Sequence, residues 1–233
     1  EGFDAGLAIQ ADAYANSVID TDELRRELEV IIEEAKRKED NPGAVTTETL
    51  YELLHDRHRI RRWRIGREDP LRALRRDQLV AFYRNFYRPS NTVLVIAGDV
   101  TPGAILPRVA ELYGALPDGD IARVPGEQEV AAPGRRYRER AGDIAETQVA
   151  IGWRTPGTRH ADTPLLDLVA GVLSSGRSSR FYRAVRERRL ASSVSAYNYT
   201  PTELGVFVLH ADGPADRAPE AARAMWGELQ ALL

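Results

Sequence analysis

Apolar residues recur at Leu24, Leu28, Ile31, Ile32 and Ala35, the three- and four-residue spacing of one helix face. Asp20 with Glu23 three residues on has the form of a helix start, and Asn41-Pro42-Gly43 the form of a stop, so the pattern predicts a helix to about Asp40. A second helical run is expected over Thr46 to Leu54, then a basic segment "HDRHRIRRWRIGRED", a helix "RDQLVAFYRNFY", an apolar strand "TVLVIAGDV" and a helix from Pro102 to Leu116. The second half reads as strands "RRYRERA" and "TQVAIGWRT", helix "ADTPLLDLVAGVL", a Gly/Ser loop "SSGRSS" and a helix through about Arg189. Strands "SSVSAYNYT" and "GVFVLHADG" and a final helix complete it.

Between the halves, "PDGDIARVPGEQEVAAPG" lacks periodicity and is rich in Pro, Gly and Asp, which marks a linker over 117–133. The expected organisation is therefore a first domain over 1–116 and a second over 134–233. A strand, a Gly/Asp turn and an amphipathic helix occur in both halves, ending in "AELYGAL" and "AMWGEL", which suggests two related domains. The order of elements predicts α+β domains in which a mixed, mostly antiparallel sheet packs against helices.

Of the four glutamates in "RELEVIIEEAK", Glu29 and Glu33 fall opposite the apolar stripe and read as solvent charges. Glu27 and Glu34 lie two turns apart, flanked by Val30, Ile31 and Leu24, on what the helical wheel gives as an inner face. A carboxylate taken out of water requires an arginine, a proton or a metal ion. Two stacked in this way mark a candidate site, and buried ion pairs with arginines are the competing reading.

Composition narrows the chemistry. At 233 residues and 43% apolar the chain can bury one large core or two ordinary ones. A formal charge of −3 argues against general nucleic-acid binding, no stretch reaches transmembrane length, and without cysteine there is no disulfide or thiolate metal site. The sequence reads as a soluble protein, and its arginine-heavy, lysine-poor composition suits a bacterial origin, with cytoplasm and periplasm not distinguished. His55-x-x-His58 has a spacing that metal sites use, but it sits among arginines without a third ligand; His160 and His210 are isolated. No Gly-x-x-x-x-Gly-Lys loop and no Gly-x-Ser-x-Gly element occurs.

Four pieces, "DTDELRRELEVIIEEAKRKEDNPGA", "FYRNFYRPSNTVLVIAGDV", "ETQVAIGWRTPG" and "VLSSGRSSRFYRAVRERRLASSVSA", resemble the pitrilysin/insulinase zinc metallopeptidases, which include the mitochondrial processing peptidases. They fall in that family's order and span almost the whole chain. The resemblance implies a zinc site made by a His-x-x-Glu-His helix and a distant glutamate, which Glu34 matches, with Glu27 matching its supporting carboxylate. No His-x-x-Glu-His occurs here, and the family's spacing puts it about 40 residues before Glu1. The chain is thus expected to be a middle segment of a zinc metalloendopeptidase acting on peptides or unfolded protein. Zinc is expected in the full-length protein, and this segment alone is expected to be inactive and not to hold the ion tightly. Arg186 matches an arginine that helps hold substrate; the tyrosine seven positions on falls on Ser192 or Ser193, the usual glycine before Leu190 is absent, and Tyr197 and Tyr199 are out of register. A homodimer, or a heterodimer whose second subunit supplies the Arg/Tyr pair, fits the first reading. A non-catalytic partner or scaffold subunit of the same fold is the second.

Overall fold

The computed structural model describes residues 2–124, 126–131 and 134–232. The chain divides into two compact units, Glu1–Glu34 with Gly66–Pro125, and Ala35–Ile65 with Gly126–Leu233. Residues 35–65, which the sequence reading assigned to the first domain, group with the second unit.

The first unit is helical. Helices α1 (Phe3–Ala15), α2 (Thr21–Glu39, which runs on into the second unit), α4 (Glu68–Arg72), α5 (Arg76–Phe86) and α6 (Pro102–Tyr113) alternate with turns. Asp20 caps α2 by accepting from the backbone N–H groups of Asp22 and Glu23 at 2.8 and 3.0 Å. The Glu23 carboxylate turns to Arg26. Leu7, Ala11 and Ile32 are the buried apolar residues of this unit, so polar contacts carry much of its order. Arg76 donates to the carbonyls of Ile19 and Val18 at 2.6 and 2.9 Å, which fixes the bend between α1 and α2.

The expected strand at 92–100 does not form. Its residues join no ladder, with Val93 and Val95 87% and 80% exposed, because a strand is held by its neighbours and no described segment pairs with it. The segment 135–141 is likewise outside any ladder. Of the two strand-turn-helix repeats, only the second is built in full.

The second unit is a helix–sheet–helix sandwich. Strands β1 (Thr147–Pro156), β2 (Ser193–Tyr199) and β3 (Leu204–Gly213) form an antiparallel sheet in the order β1-β3-β2, with Ile151 and Ala196 both opposite Leu209. Alternation along the strands divides their side chains between two cores. Phe207, Leu209, Ala211 and Ala196 face α7 (Thr163–Ser174), a short turn at 182–186 and α8 (Ala218–Gln230), and bury Leu173, Phe181, Val185 and Met225. Val206 and Val208 face Leu50 and Tyr51 of α3 (Pro42–Leu54). Gly152 permits that approach, since a Cβ there would stand 2.9 Å from a Leu50 methyl carbon. The Asn41-Pro42 stop is also a start: the Asn41 side chain accepts from the Ala44 N–H at 2.9 Å and Pro42 takes the first turn of α3. The chain is thus α+β, helices packed on a small antiparallel sheet.

The linker expected at 117–133 is anchored at Glu129. Its carboxylate accepts from the backbone N–H groups of Asp56, Arg57 and His58 at 3.0 to 3.1 Å, just after the C-terminus of α3. Arg154 of β1 donates to the carbonyls of Leu54 and Val130 beside it. Burial pushes the Glu129 carboxyl up, but the hydrogen bonds from His58, Arg57, Val130 and Asp56 outweigh it and bring it down to about 2. A carboxyl depressed on folding stabilises the native state above its ordinary value of 4.5 and loses that contribution as pH falls toward about 2. Glu129→Gln is therefore expected to lower stability at neutral pH by about 1–3 kcal/mol and to flatten the acid limb between those values. Denaturant titrations of both proteins at stepped pH check this; parallel curves at every pH would refute it.

Candidate functional site

Two places answer to the sequence candidates, one on α2 and one at the end of the small sheet. On α2, Glu27 and Glu34 are exposed, contrary to the inner face that the wheel assigns them. Val30 between them is 50% exposed, so this strip of the helix lies uncovered among the described residues. Neither carboxylate has an ion pair or hydrogen bond there, so buried pairing with arginine is not seen. Glu29, read as a solvent charge, is exposed and receives both arms of Arg72 at 2.7 and 3.4 Å.

A zinc site takes at least three protein ligands converging on one point. Among the described residues no group of three or more His, Asp or Glu side chains does so. Glu34 offers one carboxylate, and the described residues alone do not fit zinc. The histidine pair is engaged elsewhere. His55 is fully buried with Nδ1 3.0 Å from the Tyr51 carbonyl, and burial pushes its imidazole down. His58 accepts from the Ile60 N–H through Nδ1, which leaves Nε2 to donate to Glu203 at 2.5 Å.

The second place is built around Arg186. Residues Tyr182–Arg186 form a π-helical turn, with the Glu187 N–H bonded to the Tyr182 carbonyl five residues back. The turn is then stopped by two backbone bonds: Leu190 N–H to the Val185 carbonyl at 3.0 Å, and Arg189 N–H to the Arg186 carbonyl at 2.9 Å. This pattern needs a left-handed residue, and Arg189 supplies it at φ 56°. The glycine that the resemblance expects before Leu190 is therefore replaced by an arginine in a glycine conformation. Val185 and Leu190, buried in the core, lock the stop from beneath.

So held, Arg186 donates from Nη1 to the Ala191 carbonyl at 3.0 Å and borders a cleft of about 340 Å³. The cleft is lined also by Arg177, Ser179, Tyr182, Ser192 and Ser193. Both serines at the missing-tyrosine position thus border the cleft, Ser193 with its hydroxyl turned to its cross-strand partner Asp212. Tyr197 and Tyr199 do not, because strand alternation turns them to the α3 side, where Tyr197 packs against Leu50 and Tyr51, and Tyr199 stacks on Tyr51 at 6.2 Å. Sequence reasoning missed Tyr182 and Arg177. The four-residue spacing of Tyr182 and Arg186 was the available signal, since it puts both on one face of a helical turn.

Comparison with known proteins places these features in a family. Residues 73–233 match the family described as the peptidase M16 inactive domain. A protein of Rickettsia felis described as an uncharacterized zinc protease is 26% identical over 221 residues, covering 93% of this chain and 52% of its own length. The crystal structure of a protease from Helicobacter pylori superposes with a TM-score of 0.87 at 24% identity, over 99% of this chain and 56% of that one. A chain of complex III from Candida albicans superposes with a TM-score of 0.80 at 13% identity, over 97% and 56%. The chain thus spans about half the length of the relatives it matches.

The left-handed arginine yields a direct test. A non-glycine residue in that conformation costs roughly 1–2 kcal/mol, partly offset by the greater freedom of glycine in the unfolded chain. Arg189→Gly is expected to stabilise the protein by roughly 0.5–1 kcal/mol, read as a higher denaturation midpoint. A lower midpoint would show that the arginine side chain contributes more than its backbone costs.

Proposed function

Because this chain belongs to the peptidase M16 family, we propose that it is part of a zinc-dependent metalloendopeptidase that acts on peptides or unfolded protein segments. The observation that carries this is the Arg186 cleft, a rigidly stopped turn presenting a guanidinium beside an open hollow, at the position where the resemblance expects a substrate-holding arginine. In this reading residues 1–116 and 134–233 belong to two related domains joined through 117–133. The remaining length of the protein brings the His-x-x-Glu-His element to Glu34 and the strand partners to 92–98.

Within this chain the roles are those of binding and orientation. Arg186, anchored on the Ala191 carbonyl, keeps N–H donors for a peptide carbonyl. Glu34 offers a carboxylate to a metal whose chemistry, when bound, is the activation of water and the polarising of a carbonyl. Glu27, on the same strip of α2, supports it. Peptides are proposed to bind by adding a strand to a sheet edge. A partner subunit supplying an Arg/Tyr pair is proposed because serines occupy the tyrosine position.

The second reading is a non-catalytic partner or scaffold subunit of the same fold. The matched family's description as an inactive domain and the likeness to a complex III chain favour it. On either reading, no helix among the described residues is long and apolar enough to cross a membrane. A bacterial setting, in cytoplasm or periplasm, is proposed from the relatives.

The discriminating experiment is elemental analysis and cleavage of an unfolded polypeptide by the full-length protein. Glu34→Gln is expected to weaken zinc retention by roughly 10–100-fold and to abolish cleavage while leaving the unfolding midpoint of the metal-free protein near wild type, since its side chain is exposed. Zinc content unchanged by Glu34→Gln would overturn the ligand assignment. A full-length protein without metal or cleavage would favour the scaffold.

A further inference from the structure

The Arg186 cleft has two chemically distinct walls. On one side Arg177 and the Tyr182 hydroxyl have no hydrogen-bond partner among the described residues, and Arg186 commits a single N–H, to Ala191. On the other side the serine protons are already spent. Ser193 Oγ donates to the Asp212 carboxylate, which accepts only. Ser192 Oγ lies 2.7 Å from Glu146 Oε2 and 2.9 Å from the Asp212 carbonyl, both acceptors, so its proton is taken as well. Ser193 sends its hydroxyl to the sheet face it shares with Asp212, so the acceptor left to the cleft is the Ser192 hydroxyl.

The hollow therefore presents two guanidinium forks and a phenol on one wall and one hydroxyl acceptor, backed by the Glu146 carboxylate, on the other. No acidic residue lines it. Its volume, about 340 Å³, is at the small end of the roughly 300–1,000 Å³ typical of ligand clefts and suits one or two amino-acid residues. We propose that this cleft captures the C-terminal residue of a peptide, Arg177, Arg186 and Tyr182 taking the terminal carboxylate while Ser192 accepts the residue's backbone N–H. A carboxylate matches the guanidinium fork with paired, charge-assisted bonds. A terminal residue carries that carboxylate and an N–H donor within one residue's length, which an acidic side chain does not. The inference rests on the peptide-binding reading above, and it names the end of the peptide that is held and two residues, Arg177 and Tyr182, that hold it. It also explains how a chain with serine at the tyrosine position retains a phenol beside its arginine.

The test is fluorescence anisotropy on the full-length protein, stripped of metal by a chelator so that no peptide is consumed. Three versions of one fluorescein-labelled peptide without other acidic residues are compared: free C-terminus, C-terminal amide, and C-terminal amide with one internal glutamate. The free acid is expected to bind about tenfold more tightly than the amide. Arg177→Met and Tyr182→Phe should each remove most of that difference, with Arg177→Lys restoring part of it. Both side chains lie at the cleft surface, and unchanged melting confirms that each variant is folded. Equal affinity for all three peptides, or variants that discriminate as well as wild type, overturns the proposal. An internal glutamate that matches the free acid overturns the terminal assignment and gives the cleft to acidic side chains. Cleavage by the metal-loaded protein is scored separately: no cleavage with intact discrimination removes the peptidase reading alone, and cleavage without discrimination removes the cleft alone.

Discussion

Strand β3 is hydrogen-bonded along both edges and buried on both faces, and the second unit is arranged to satisfy it. Each of its backbone groups has to find a partner within the sheet, because no water reaches the strand to substitute. That demand fixes β1 on one side and β2 on the other. Its alternating side chains then require two cores, Phe207, Leu209 and Ala211 toward α7 and α8, Val206 and Val208 toward α3. The recruitment of α3 follows from this, although more than ninety residues separate it from β1 in the chain. So does the need for Glu129 and Arg154, which bind the far end of α3 to the chain entering the sheet.

The Arg186 cleft is a consequence of the same packing. Phe181, Val185 and Leu190 are core residues, so the π-helical turn is pinned from below. The two backbone bonds that stop it bring residues 189–193 back to the end of β2. A hollow is left between the turn and the strand, bordered by the side chains that do not enter the core. The residues bordering the cleft have neighbours fully committed to the core, which is how a polar constellation is kept in place without its own buried contacts.

The sequence made the local parts of this legible and the long-range parts not. The helices α2 and α7 and the strands β1 to β3 follow from periodicity because their apolar stripes meet buried neighbours in the folded chain. The run at 92–100 has the same apolar signature as β3 yet forms no strand, since strand formation depends on a partner that composition cannot supply. Periodicity likewise ranks Glu27 and Glu34 as inward by virtue of apolar neighbours, but only a covering element makes a face inner, and none of the described residues covers theirs. Arg186 was identifiable by resemblance. Tyr182 was hidden because its significance depends on which serines and arginines share its cleft, and Arg189 because an arginine gives no hint of a left-handed backbone. Glu129 lay in a segment whose Pro, Gly and Asp content signals a linker, and its acceptance of three consecutive N–H groups is visible only in three dimensions.

The run from Thr92 to Gly98 governs how the chain behaves in company. From Val93 to Ala97 its amides and carbonyls have no hydrogen-bond partner among the described residues, two of its valines are nearly bare, and the only charge between Asn91 and Val100 is Asp99. Natural sheet proteins shield such edges with lysine, proline or a bulge. Here nothing of that kind stands in the run, and a second molecule offers an equally good row of partners. Wherever strand partners for this stretch are lacking, it counts for more than the surface average: a net charge of −3 spread over 233 residues sets the long-range repulsion, while seven residues decide what happens on contact.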